Sequence, residues 1–294
     1  VRKVTDLQLS LLLAASRCFG GQTLGGWTVD PTLVVPLVAA AALFATGTVR
    51  VWRRAGPGRG VSYPHAVLFA LGWLATAGAL VSPLHDLSRR LFTAHMIEHE
   101  VLMVVAAPLL VMGRPLGAML WALPQGWRRG LGRAVQAGWF AAFWAFITQP
   151  LTATILHGLA IWIWHGRALF EAALRIEWVH WLQHLSFFGS ALLFWWAMSE
   201  AWRRRDAAGA AIGHLFLTSL HTGFLGVLLV FSPRLWYAPM PAAVEWGMSP
   251  LEDQQMAGLI MWIPAGLVYA AWSLALVGAW LNMAREREVY PAPL

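Results

Sequence analysis

Apolar runs of about 20 residues, long enough to cross a bilayer as a helix, recur about seven times along this chain. Hydrocarbon offers the backbone no hydrogen-bond partner, so such runs must satisfy their own N–H and C=O groups. The expectation is therefore all-α, a polytopic membrane bundle of about seven transmembrane helices. Their approximate bounds are Thr32–Val51, Ala66–Val81, His95–Met112, Phe140–Trp164, Val179–Met198, Ile212–Phe231 and Gln254–Leu281. Pro150 falls inside the fourth run and is expected to bend it.

Composition agrees. The 294 residues are 59% hydrophobic and 12% charged, about half the charge of a soluble domain. Nineteen tryptophans suit a protein anchored at two membrane–water interfaces. The net charge of +7 is not a nucleic-acid stripe, because its arginines sit in short loops between spans. Arg53, Arg54 and Arg59 follow the first span, Arg114, Arg128, Arg129 and Arg133 the third, Arg203, Arg204 and Arg205 the fifth, and Arg285 and Arg287 the seventh. The alternate loops are lighter or balanced by acids. The positive-inside rule then places the N-terminus outside and the C-terminus in the cytoplasm. The chain divides into a leader or outer N-terminal segment (1–30), one seven-span domain (31–288) and a cytoplasmic tail (289–294). The single cysteine, Cys18, excludes an intramolecular disulfide, a CxxC pair and a thiolate metal cage. Arg17 in front of it argues against a lipoprotein cysteine.

With that orientation the histidines gather at the outer side. His95 and His99 open span three and His180 and His184 open span five, each pair four apart and so on one helix face. His157 and His165 lie in the outward half and at the outer end of span four, and Asp253 opens span seven. Ionisable groups at such depths are expensive and are functional suspects by default. Two His–x3–His pairs on separate helices can converge on one ion or each hold half of a larger site. Met96, Met103 and Met256 lie at similar depths, and Glu98 and Asp253 offer carboxylates. Imidazole with thioether and no thiolate suits copper best, with zinc next. His65, His85 and His214 read as hydrogen-bonded or snorkelling side chains. The competing reading of the two pairs is an interhelical hydrogen-bond network.

HMIEH leading into APLLVMGRP, then WIWHGRALFEAAL, HWLQHLSFFGSALLFWW and DQQMAGLIMW, resemble as a set the bacterial CtaG family of multispanning cytochrome c oxidase assembly factors, over nearly the whole chain. The resemblance implies an integral protein of the bacterial inner membrane, not an enzyme, that serves copper delivery or metal-centre insertion into an oxidase subunit. By motif position it points to His95, Met96, His99, His165, His180, His184, Asp253, Gln254 and Met256. The sequence departs from the family pattern at Glu98, often amide-bearing there, and at Gly166, where proline is usual.

Two other functions compete. A membrane haem protein would use axial histidines from neighbouring spans, with His157 and His221 as the candidates. A hydrolytic metalloenzyme would use Glu98 as base, but Glu98 adjoins the second histidine of its pair, unlike the HExxH arrangement.

Overall fold

The computed structural model describes residues 23–24, 26–203 and 208–289. The expected leader up to residue 22 with Cys18, Arg204 and Arg205, and the tail 290–294 lie outside the described residues. Apart from a two-residue hairpin, Thr23–Leu24 against Trp27–Thr28, the regular structure described is helical.

In chain order the helices are α1 (Pro31–Ala55), α2 (Tyr63–Val81), α3 (Pro83–Ser88), α4 (Phe92–Glu100) continuing through a π-helical turn (Val101–Ala106) into α5 (Ala107–Met112), and α6 (Pro115–Ala122). There follow α7 (Gln125–Val135), α8 (Gly138–Ile147), α9 (Pro150–Trp164), α10 (Arg167–Arg175), α11 (Glu177–Arg203), α12 (Ala208–Val230), α13 (Ala242–Glu245) and α14 (Pro250–Val289). Five helical stretches are long and apolar enough to cross a membrane: Pro31–Ala55, Tyr63–Val81, Phe92–Met112, Gly209–Val230 and Pro250–Asn282. A sixth is the pair α8 and α9, which meet at 66° where Pro150 opens the second helix. That is the bend expected from the proline. The expected count of seven needs α11, whose 27 residues would reach about 40 Å at 1.5 Å per residue. Its composition falls short of the apolar criterion the others meet, since His180, Gln183, His184, Ser186 and Ser190 interrupt it.

Helix starts follow capping chemistry. Asp30 caps α1 by accepting from the Thr32 amide at 2.8 Å, with Pro31 in the first turn. Ser62 and Ser82 do the same for α2 and α3. Ser249 and Glu252 form a reciprocal capping box for α14: the Ser249 amide donates to Glu252 at 2.7 Å and the Glu252 amide to Ser249 Oγ at 3.3 Å. α4 has no cap of its own, since Leu91 stands at that position.

Packing brings the ends of several helices to one face. α12 and α14 approach so closely that a Cβ on Gly226 would stand 2.8 Å from the Gly258 carbonyl oxygen, and the converse holds for Gly258. The main core gathers Met103, Ala107, Phe187, Ala191, Phe194, Trp195, Met261 and Tyr269 between α11, α14 and the π turn. In that turn the Ala107 amide reaches back to Leu102 O, five residues rather than four. The next residue, Pro108, has no N–H, so the Met103 carbonyl that continues this pattern is left free. The Trp195 indole N–H takes it at 2.9 Å.

Candidate metal centre

Both histidine pairs arrive at one place. α4 contributes His95, Glu98 and His99, α11 contributes His180 and His184, and α3 adds His85. Ring centroids of His95 and His180 are 5.9 Å apart and those of His99 and His184 5.0 Å. Within each helix the paired rings stand 4.3 Å apart. Ligand atoms of His95, Glu98 and His180 all lie within 4.8 Å of one another. The Nε2 atoms of His180 and His184 are separated by 3.0 Å. Two nitrogens bound to one tetrahedral ion, with bonds of about 2.0 Å, sit about 3.3 Å apart.

Glu98 is the hinge of this arrangement. It is wholly buried, its Oε1 lies 2.6 Å from His85 Nδ1 and its Oε2 3.7 Å from His184 Nε2. The sequence reads His85 as a hydrogen-bonded or snorkelling side chain, and the structure gives its hydrogen-bond partner as Glu98. Its contact with Glu98 spans 13 residues across the α3–α4 turn, and no periodicity reports such a pairing.

Polar atoms in this cluster lack partners. Both ring nitrogens of His95, both of His99 and Glu98 Oε2 are buried without a hydrogen bond. More than nine-tenths of buried polar groups in proteins are paired. Leaving one unpaired costs about 1–3 kcal/mol, so five in one cluster mark a place built for something other than protein–protein hydrogen bonds. Glu100, beside His99, is buried as well, with Oε2 unpaired.

The remaining residues singled out in the sequence divide by position. His165 closes α9; its Nδ1 donates to Ile161 O at 2.7 Å, which leaves the buried, unpaired Nε2 as a lone-pair site. Phe187 stands between it and His99, at centroid distances of 6.2 and 4.7 Å. His157 lies two turns deeper on α9, bonded to Ser190 Oγ at 3.0 Å and stacked on Phe194. His221 accepts from the Trp162 indole at 3.3 Å.

Asp253 does not face the cluster as a free carboxylate. Its two oxygens accept from the amides of Phe92 and Thr93, each at 2.9 Å, and from Thr93 Oγ at 2.7 Å. It supplies, from α14, the cap that α4 lacks. Gln254 ties the same corner to the Pro-rich segment between α12 and α13, accepting from the Trp236 amide at 2.7 Å. Tyr237 of that segment donates to His165 O at 2.8 Å, and burial raises its phenol above the ordinary value, so it stays the donor. None of the thioethers joins the cluster. Met96 packs with Phe92, Phe170 and Tyr237, Met103 lies in the main core, and Met256 is exposed. The geometry therefore gathers imidazole and carboxylate, not sulfur.

A cavity of about 280 Å³ reaches the cluster, with His85, His180 and His184 among the residues that line it and Asp86, Arg89 and Glu177 in its walls.

Residues 42–283 match the family model described as cytochrome c oxidase caa3 assembly factor. Among curated proteins, the chain is 28% identical to the uncharacterized protein Mb0105 of Mycobacterium bovis and to the uncharacterized protein MT0111 of Mycobacterium tuberculosis, over 88% of its own length and 40% of theirs. It is also 28% identical to the uncharacterized protein ML1998 of Mycobacterium leprae, over 86% of this chain and 39% of that one. The chain thus spans about two fifths of the curated relatives it matches. No solved structure matches.

Proposed function

The chain belongs to the cytochrome c oxidase caa3 assembly factors, and from that premise we propose that it binds copper at the cluster of His85, His95, Glu98, His99, His180 and His184 and hands it to an oxidase subunit. The observation that carries this reading is the set of five unpaired buried atoms on His95, Glu98 and His99. One ion takes one nitrogen of each ring together with Glu98 Oε2, since the two nitrogens of an imidazole face away from each other. A purely structural histidine network would have paired them already.

The donor set favours copper on chemical grounds that differ from those of the sequence. With Met96 and Met103 in packing positions and Met256 exposed, thioether softness no longer argues for it. An imidazole-rich site with one carboxylate follows the Irving–Williams order, in which Cu²⁺ binds above Zn²⁺. His85 and His184 hold Glu98 in place, as partners of metal-binding carboxylates do. The role is non-catalytic: the ion is cargo. The protein sits in the inner membrane with seven crossings, α11 included, and the arginine distribution puts the histidine face outside. A haem reading draws no support from the family, whose description names assembly.

The test is copper binding by purified protein, read by elemental analysis after titration. Near-stoichiometric copper, lost in His95→Ala with His99→Ala, is the expected result. Copper retained by that double variant, or a preference for zinc over copper in the unaltered protein, would overturn the assignment.

A further inference from the structure

At the opposite end of the molecule the stretches that form α1, α6 and α7 carry no carboxylate, and Glu200 of α11 is taken by Arg203. No acidic residue occurs between Asp30 and Asp86 or between Glu100 and Glu171. The arginines of these stretches that cluster at the far end, Arg50, Arg54, Arg128, Arg129 and Arg133, take part in no ion pair among the described residues. Two of them meet on one indole. Arg54 Cζ lies 5.3 Å and Arg128 Cζ 4.5 Å from the Trp121 ring centroid. Arg50 donates to the carbonyls of Trp121 and Ala122, fixing the end of α6 beside them. Arg128 Nε is buried without a hydrogen-bond partner.

α7 adds a surface. At 100° per residue Trp127, Leu131, Ala134 and Val135 share one face, while Arg129 and Arg133 lie opposite with Gln125 and Gln136. No residue of α7 is buried, and Trp127 is 70% exposed. A short amphipathic, basic helix with its apolar face uncovered lies in the plane of a bilayer interface, apolar side down. An apolar groove of about 650 Å³, lined by Leu37, Ala40, Leu116, Met119 and Leu192 among others, runs beside α1, α6 and α11 and reaches His184 at its other end. Leu116 and Met119 are on the helix that carries Trp121.

We propose that Arg54, Arg128 and Trp121 hold the headgroup of an anionic phospholipid, with α7 laid along the interface and an acyl chain in the groove. Guanidinium forks match phosphate oxygens in pairs, the headgroup supplies the negative charge that the sequence withholds here, and the groove accepts what a free phosphate does not have.

Native mass spectrometry of the full chain in detergent, with phosphatidylglycerol or phosphatidylcholine added, tests this. The unaltered protein is expected to prefer phosphatidylglycerol, and added salt to weaken that preference. Arg54→Gln with Arg128→Gln should reduce phosphatidylglycerol affinity about 30-fold, as expected for two arginines at an anionic surface, while copper stoichiometry at the distant histidines is kept. Arg167→Gln with Arg175→Gln removes equal charge and should leave the preference intact. No preference in the unaltered protein, a preference insensitive to salt, its survival in the first double variant, or an equal loss in the second would each overturn the proposal. Displacement of the lipid by millimolar inorganic phosphate would overturn the lipid as the ligand.

Discussion

Asp253→Ala is expected to loosen the helix that carries His95, Glu98 and His99, without removing a metal ligand. Helix α4 starts with unsatisfied amides, and Asp253 takes those of Phe92 and Thr93 together with the Thr93 hydroxyl. An ordinary N-cap is worth about 1 kcal/mol. Leaving the buried Phe92 amide unpaired adds about 1–3 kcal/mol, for a total of about 2–4 kcal/mol, the Thr93 donors being only partly buried. For a chain of this size that lowers the apparent unfolding temperature by about 3–6 °C. Asp253→Asn, which keeps one carbonyl acceptor, should recover about half of the loss. Unfolding in detergent measured beside copper titration separates the two roles. A cap predicts a lower unfolding temperature with the number of bound ions unchanged. An unchanged unfolding temperature with copper lost would refute the reasoning and restore Asp253 as a ligand.

Other changes probe the same frame. Glu98→Gln keeps shape but removes the charge between His85 and His184, and copper affinity should fall about 10–100-fold, the range for altered partners of a metal site; unchanged affinity would place the ion away from Glu98. His85→Phe should lower affinity by a similar factor without changing stoichiometry, and a loss of bound copper in proportion would make His85 an obligatory ligand. Trp195→Phe deprives the Met103 carbonyl of its donor and should destabilise by about 1–3 kcal/mol. Adding Pro108→Ala supplies an N–H to the same turn and should restore part of that stability; a further loss on adding it would deny the link. Gly47→Ala would place a Cβ 1.7 Å from the Ala118 carbonyl oxygen, so α1 and α6 must separate and the unfolding temperature must drop sharply.

Local patterns carried much of this structure. Apolar length told of most of the spans, Pro150 told of the bend, and the four-residue spacing of each histidine pair told which rings share a face. Two strips at equal depth on neighbouring spans suggested convergence, and the rings do meet. What periodicity could not report were contacts set by long separations. Asp253 and Phe92 are 161 residues apart, and a carboxylate that caps another helix has the same local sequence as one that binds an ion. His85 sits on a six-residue helix, too short for any repeat to orient it. Methionines at the right depth promised thioether ligands, but a flexible apolar side chain is equally at home in packing, and Met96 and Met103 are used that way. α11 illustrates the opposite difficulty, because the polar residues that build the site are what lower its hydropathy.

The π turn joins the site to the core. A π-helical turn inserts one extra residue into the helix, and one residue is 100° of rotation, so the face of α4 that carries His95 and His99 is set off from the face that Met103 and Ala107 turn to the core. A regular helix through Phe92–Met112 would have to choose which of the two to orient correctly. The sequence supplies what the irregular turn requires: Pro108 removes a donor, Trp195 replaces it, and Asp253 pins the other end of the helix. Trp195 belongs to α11, the helix that presents His180 and His184. The indole that satisfies the turn therefore also ties the two histidine-bearing helices together, about one turn from His99 along the first and about three turns from His184 along the second. Register between α4 and α11 is what brings His95 to His180 and His99 to His184, and the Trp195–Met103 hydrogen bond is one of the contacts that fix it.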